Sequence, residues 1–178
     1  FSQDAYFSNF YRSFALTNPS GIAMSEDINL TMLHRSQWMS IITPFSTSQF
    51  EGYYPIRKAN SNKKIMTVGI SFVNEMLGEG GYLTTNNFSI TGAYDYNVGS
   101  NNHLAMGLKL GYFNGATDIS GLSSGSQFQN GIYYSGNSLG ENIVNPVVSG
   151  MGVSPSITWF KVDSNGTNVY NVGITAFN

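Results

Sequence analysis

The side chains that could do chemistry are few and scattered. His34 and His103 are the only histidines and there is no cysteine. Disulfides and thiolate–metal sites are therefore excluded, and the two imidazoles lie too far apart in sequence to form a recognisable ligand pair. The clustered glycines of GEGGYL at 78–83 are followed by no helix that would turn its N-terminus on a phosphate, so they read as a loop. DSNGTN at 163–168 starts like a calcium loop but lacks the downstream bidentate Glu, and a hairpin turn fits it better. No Gly-x-Ser-x-Gly elbow occurs, and the acidic residues, Asp and Glu together 10, are dispersed rather than paired. The expectation is a protein that is not an enzyme and carries no metal or other cofactor. What remains is a set of polar groups in the middle of apolar segments: Arg35, Gln37, Glu51, Asp95 and Lys109.

The segments that position them alternate strictly. In NNFSITGAYDYNVGSNNHLAMGLKLGYF, residues 86–113, Phe88, Ile90, Tyr94, Tyr96 and Val98 share one parity with Leu104, Met106, Leu108, Leu110 and Tyr112. The other parity holds Ser89, Thr91, Asp95, His103 and Lys109. That is the period of two strands with unlike faces. Similar strands are expected at about 28–38, 45–57, 64–74, 151–161 and 168–177, and no window keeps a 3.6-residue period. Every mid-strand charge falls on the polar parity. If the 86–113 hairpin has a five-residue turn, Asp95 faces Gly107 and lies diagonal to Lys109, within reach of a cross-strand pair.

Composition bears on which solvent each face meets. Only 10% of the 178 residues are charged, against about 25% in typical soluble domains. Aromatics reach 14% and there are 20 glycines. A net charge of −2 without a basic run excludes nucleic acid as a partner. No apolar run reaches the roughly 18–20 residues of a membrane helix, but barrel strands need only ~9–11. The opening FSQDAYF lacks an initiator Met, as a processed envelope protein would.

Connection lengths and aromatic placement favour a barrel. The expected connections run moderate (39–44), short (58–63), long (75–86), short (99–102), very long (115–150) and short (162–167). Short periplasmic turns alternating with longer extracellular loops predict that order. Trp38, Tyr54, Phe88, Tyr94, Tyr96 and Tyr112 fall near strand ends on the apolar parity, as interfacial girdles do. Phe88 to Tyr96 is roughly 26 Å of strand, or ~20 Å of membrane normal at a tilt of about 40°. The expected fold is all-β, a transmembrane antiparallel up-and-down barrel of outer-membrane type. Residues 1–27 would form a periplasmic or lumenal segment, and 28–178 the strands, with long extracellular loops at 75–86 and 115–150. The latter would be a surface binding loop or a plug. Seven strands are odd for a closed barrel, so the chain is expected to be the N-terminal part of a larger one. Two other readings fit the residues: a passive pore or solute channel, and a soluble β-sandwich adhesin.

The opening QDAYFSNFYRSFALTNPSGIA, with Gln3, Asp4, Phe7, Ser8, Asn18, Pro19 and Gly21, resembles the mature N-terminus of the PorP/SprF family of outer-membrane proteins of type IX secretion. RSQW at 35–38, ending in Trp38, and PFST at 44–47 are similar to its Arg-x-Gln-Trp and Pro-aromatic-x-Thr segments. VGISFVNEMLGEGG, AYDYNV, LAMGLKLGY and ISGL…QFQNG, which contains Gln127, follow in the family's order. An Ala follows Asp4 where Pro is usual, and family members are considerably longer. The resemblance implies a multi-pass protein of the outer membrane of a Gram-negative, Bacteroidota-type cell. It implies partners too: a secreted client such as a gliding adhesin, bound by its C-terminal sorting domain, other secretion components, and outer-membrane lipid. On that view Arg35, Gln37, Glu51, Asp95, Lys109 and Gln127 are the lumen or client-binding candidates. Asn18, Pro19, Gly21 and Trp38 are structural.

Overall fold

Residues that a water-soluble protein would hide are exposed in this one, and its polar side chains are buried. In the computed structural model Leu30, Met32 and Met151 are 72%, 77% and 85% exposed, while Gln49, Glu51, Thr67, Thr91 and Thr158 are almost wholly covered. The structure describes residues 13–38, 44–59, 63–78, 82–99, 101–117, 125–129, 131–137, 140, 147–163 and 168–176.

The chain starts with a short helix α1 (Phe14–Thr17) and a 3₁₀ helix (Pro19–Met24). Strands β1 (Asn29–Gln37), β2 (Phe45–Arg57), β3 (Lys64–Leu77), β4 (Leu83–Gly99) and β5 (Asn102–Thr117) follow. A two-residue pair, β6 (Phe128–Gln129) and β7 (Ile132–Tyr133), precedes β8 (Val147–Val162) and β9 (Asn168–Thr175). The large sheet is a 7-stranded antiparallel meander in the order β1-β2-β3-β4-β5-β8-β9, curled into a half-barrel, and β6-β7 stand apart from it. Its β1 and β9 are the two edges. No helix among the described residues is long and apolar enough to cross a membrane.

Register turns the alternation into rows. His34, Ser48, Asn74, Asn86, Asn114 and Ser149 are successive cross-strand partners from β1 to β8 on the convex face. The adjacent row is Met32, Phe50, Phe72, Phe88, Tyr112 and Met151, and beyond it lie Leu30, Gly52, Ile70, Ile90, Leu110 and Val153. Further rows end with Tyr96, Leu104, Trp159 and Val172. From Tyr112 to Leu104 along β5 is about 27 Å at ~3.4 Å per residue, which a tilt of about 40° brings to ~20 Å, close to the height of an outer-membrane apolar band. A polar row thus closes the band on one side. Exposed contiguous apolar surface on this scale is stable in lipid and unstable in water, which disfavours the sandwich reading.

Three expectations need correction. The loop placed at 75–86 is shorter, because β3 continues to Leu77 and β4 begins at Leu83. Asn and Thr there look like turn formers, yet Asn74 donates to Asn86 across the strands at 2.9 Å and prolongs the hairpin. Connection lengths therefore do not alternate at this point. The second concerns the β4–β5 hairpin, whose tighter turn pairs Gly99 with Asn102 and sets Asp95 opposite Ala105. Gly107 faces Ala93, and Lys109 faces Thr91, about 13 Å along the strand from Ala105. The expected Asp95–Lys109 pair is not formed, and Asp95 bonds His103 instead. Likewise β8 starts at Val147 rather than 151.

Candidate functional site: the concave face and its N-terminal insert

The concave face is filled over part of its height by residues 13–26. Asn18 starts the 3₁₀ helix as its N-cap in an extended conformation, and its side chain accepts from Ser20 N at 3.2 Å. Pro19 occupies the first helical turn, where a missing N–H is harmless. Pro19, Ser20, Gly21, Ile22 and Ala23 are all buried. Ile22 and Ala23 pack with Tyr53, Ala93, Ala105 and Phe160 in a small apolar core between insert and sheet, with Phe14 at its margin. A Cβ on Gly21 would come within 2.5 Å of the Phe14 ring, so a larger residue there would have to displace that ring.

Three sets of polar contacts hold the insert. On the β8–β9 side, Asn18 Nδ2 donates to Thr158 Oγ1 at 2.6 Å and Thr175 Oγ1 donates to Asn18 Oδ1 at 3.3 Å. Ser20 N donates to Ser156 Oγ at 2.7 Å, and the Ser20 and Thr158 hydroxyls share a 2.7 Å bond. The floor beneath is Gly107, where any Cβ would lie 2.5 Å from Ser20 N. On the β2 side, Ser13 Oγ donates to Glu51 Oε2 at 2.8 Å, and Gln49 Nε2 donates to Ser13 Oγ at 2.6 Å and Glu51 Oε2 at 3.1 Å. Glu51 is fully buried, and its Oε1 and Gln49 Oε1 have no hydrogen-bond partner among the described residues. At the end carrying the β2–β3 turn, Lys64 Nζ donates to Ala23 O at 2.6 Å, Ser25 O at 3.1 Å and Glu26 Oε1 at 2.6 Å. Arg57 Nη2 also donates to Glu26 O.

The sequence candidates do not converge on one point. Glu51 lies opposite Thr31 and Ser71 and belongs to the Ser13–Gln49 cluster. Asp95 lies near the β4–β5 turn, 2.9 Å from His103 Nδ1, and the His103 ring stacks on Phe160 at 4.9 Å between centroids. Arg35 and Gln37 sit on the concave parity of β1, opposite Thr47 and Phe45 near the other end. Lys109 faces Thr91 on one side and Ser154 on the other. Gln127 is buried within its own loop, where Nε2 donates to Asn137 O at 3.1 Å and its carbonyl accepts from Tyr134 N at 2.9 Å. Asn18, Pro19 and Gly21 form the insert's central turn. Trp38 closes β1 with φ 56 and is exposed. Gln3, Asp4, Phe7 and Ser8 lie outside the described residues.

Sequence reasoning missed Ser13, Gln49, Ser20, Ser156, Thr158 and Lys64. Gln49, Ser156 and Thr158 share the polar parity of their strands, a signal that was present. Nothing local marked Ser13 or Lys64, whose partners are 38 and 41 residues away.

Above the insert, toward the β1–β2 and β3–β4 connections, the concave face is less covered. Arg35, Gln37, Thr85, Asn87 and Gly115 there are half-buried, and Phe113 is exposed. This is a mixed surface on which Phe45 and Phe113 stand among polar groups, backed by the curled sheet. Such a surface can hold a polypeptide by hydrogen bonds. A family model described as "Type IX secretion system membrane protein PorP/SprF" matches residues 1–167. No curated protein and no solved structure matches the chain.

Proposed function

This chain belongs to the PorP/SprF family of type IX secretion system membrane proteins, and on that premise we propose that it binds secreted surface proteins such as gliding adhesins. The contact would be the client's C-terminal sorting domain, and the outcome export or anchoring at the outer membrane. The chain is a type IX secretion component with a barrel-like sheet that fits an outer membrane. Its partners include other components of that system.

The observation that carries the client reading is the half-covered polar strip above the insert. Arg35 and Gln37 on β1, and Thr85 and Asn87 on β4, stand half-buried on the concave parity toward the β1–β2 and β3–β4 connections. Their donors and acceptors suit main-chain groups of an extended segment, and the binding is non-covalent with no turnover. Reconstitution into vesicles tests this. The protein should capture a sorting domain from a co-exported adhesin, and Arg35→Ala with Asn87→Ala should weaken capture about tenfold. Steady ion conductance with no affinity for any such domain would replace this reading with a passive pore.

A further inference from the structure

Arg57, Lys58, Lys63 and Lys64 stand together at the β2–β3 connection, half of the chain's 8 basic residues. Arg57 and Lys64 each pair with Glu26. Lys58 and Lys63 are exposed at the rim. Beside them the sheet has a step. The last β3–β4 pair at this end is Met66 with Tyr94, and β4 continues past it to Gly99, whereas β3 starts at Lys64.

A cavity of about 570 Å³ occupies the step, lined by Lys58, Lys63 and Lys64, by Ile65, Tyr94 and Tyr96, and by Asp95 and His103 among others. Two surfaces meet in it. Ile65, Tyr94 and Tyr96 are exposed and adjoin the apolar convex rows. The lysines come from the turn beyond the apolar band. Asp95 and Glu26, the acids that line it, are each hydrogen-bonded within the protein, to His103 and Lys64 respectively.

We propose that this step is a binding site for a membrane phospholipid, with the phosphate held by Lys58 and Lys63 and an acyl chain lying along Ile65, Tyr94 and Tyr96. An apolar wall continuous with a cationic rim matches a molecule that joins acyl chains to an anionic group. A free anion would use the rim and ignore the wall. Lysines at a membrane surface attract anionic headgroups, and aromatic side chains settle at that same level. The proposal rests on the convex face meeting lipid.

The test uses the full chain purified in mild detergent, with dioleoylphosphatidylglycerol, dioleoylglycerol and inorganic phosphate as probes and native mass spectrometry as readout. Wild type should retain phosphatidylglycerol, and the Lys58→Gln/Lys63→Gln pair should bind it about tenfold more weakly. Lys161→Gln, at the same end but outside the step, should bind as wild type does. Equal retention of dioleoylglycerol, or equal retention by the double variant, would overturn the site. Full competition by millimolar inorganic phosphate would overturn a lipid as its source. Heat-modifiable migration in gels reports barrel assembly separately. A wild type that never assembles contradicts the lipid-facing reading, whereas an assembled protein blind to the phosphate contradicts this site alone.

Discussion

Gly107 and Ser20 approach so closely that residue 107 can carry no side chain without moving the insert's backbone. Gly107→Leu should therefore release residues 13–26 from the sheet while leaving the convex face unchanged. A cysteine placed at Ser20 should then react with a water-soluble maleimide many times faster than in the parent, and equal labelling would contradict the docked arrangement. Glu51 poses a different problem, because it is the acceptor for both Ser13 Oγ and Gln49 Nε2 in a fully covered position. Glu51→Ala removes that acceptor and should cost about 1–3 kcal/mol, measured by urea unfolding in detergent. The sequence showed that residue 51 faces inward, since parity is a local property. It could not show the partner, because Ser13 comes from a segment with no periodicity.

Among the strands, alternation was legible and register was not. Each strand announces which of its faces is apolar, but pairing depends on turn geometry, and a turn shortened by a few residues moved Asp95 from Gly107 to Ala105. The β3–β4 hairpin was misjudged for a related reason. Its polar tip reads as loop by residue type, whereas Asn74 and Asn86 satisfy one another across the strands. The faces themselves can be tested. Ile90→Lys and Leu108→Lys place a cation on the apolar rows and should each cost about 2–4 kcal/mol in lipid, seen as failure to acquire heat-modifiable migration. The contrasting position is Asn87→Lys, which is half-buried on the concave face. Thr91 suits this less well, being covered and directly opposite Lys109. Assembly of all three variants alike would argue against lipid on the convex side.

At the scale of the whole molecule, the polar row from His34 to Ser149 and the aromatic and methionine row beside it define one edge of the membrane band. The two tryptophans report its height. Trp159 stands in an apolar convex row, while Trp38 lies past the polar row at the end of β1. In vesicles containing brominated acyl chains, the Trp38→Phe protein, with only Trp159 left, should be quenched strongly. The Trp159→Phe protein should be quenched several-fold less, and the reverse order would shift the band along the strands. The barrel-like architecture was readable from low charge, alternation and girdle spacing. The insert was not, because its stability comes from contacts that no short window contains.

Those contacts also set an order in time. Asn18 precedes Thr158 by 140 residues and Thr175 by 157, so its docking surface does not exist until β8 and β9 have paired. Closing so long a loop is slow and gains nothing until both ends are in place. Asn18, close to the start of the described chain, therefore takes these partners only after the sheet has been completed through β9.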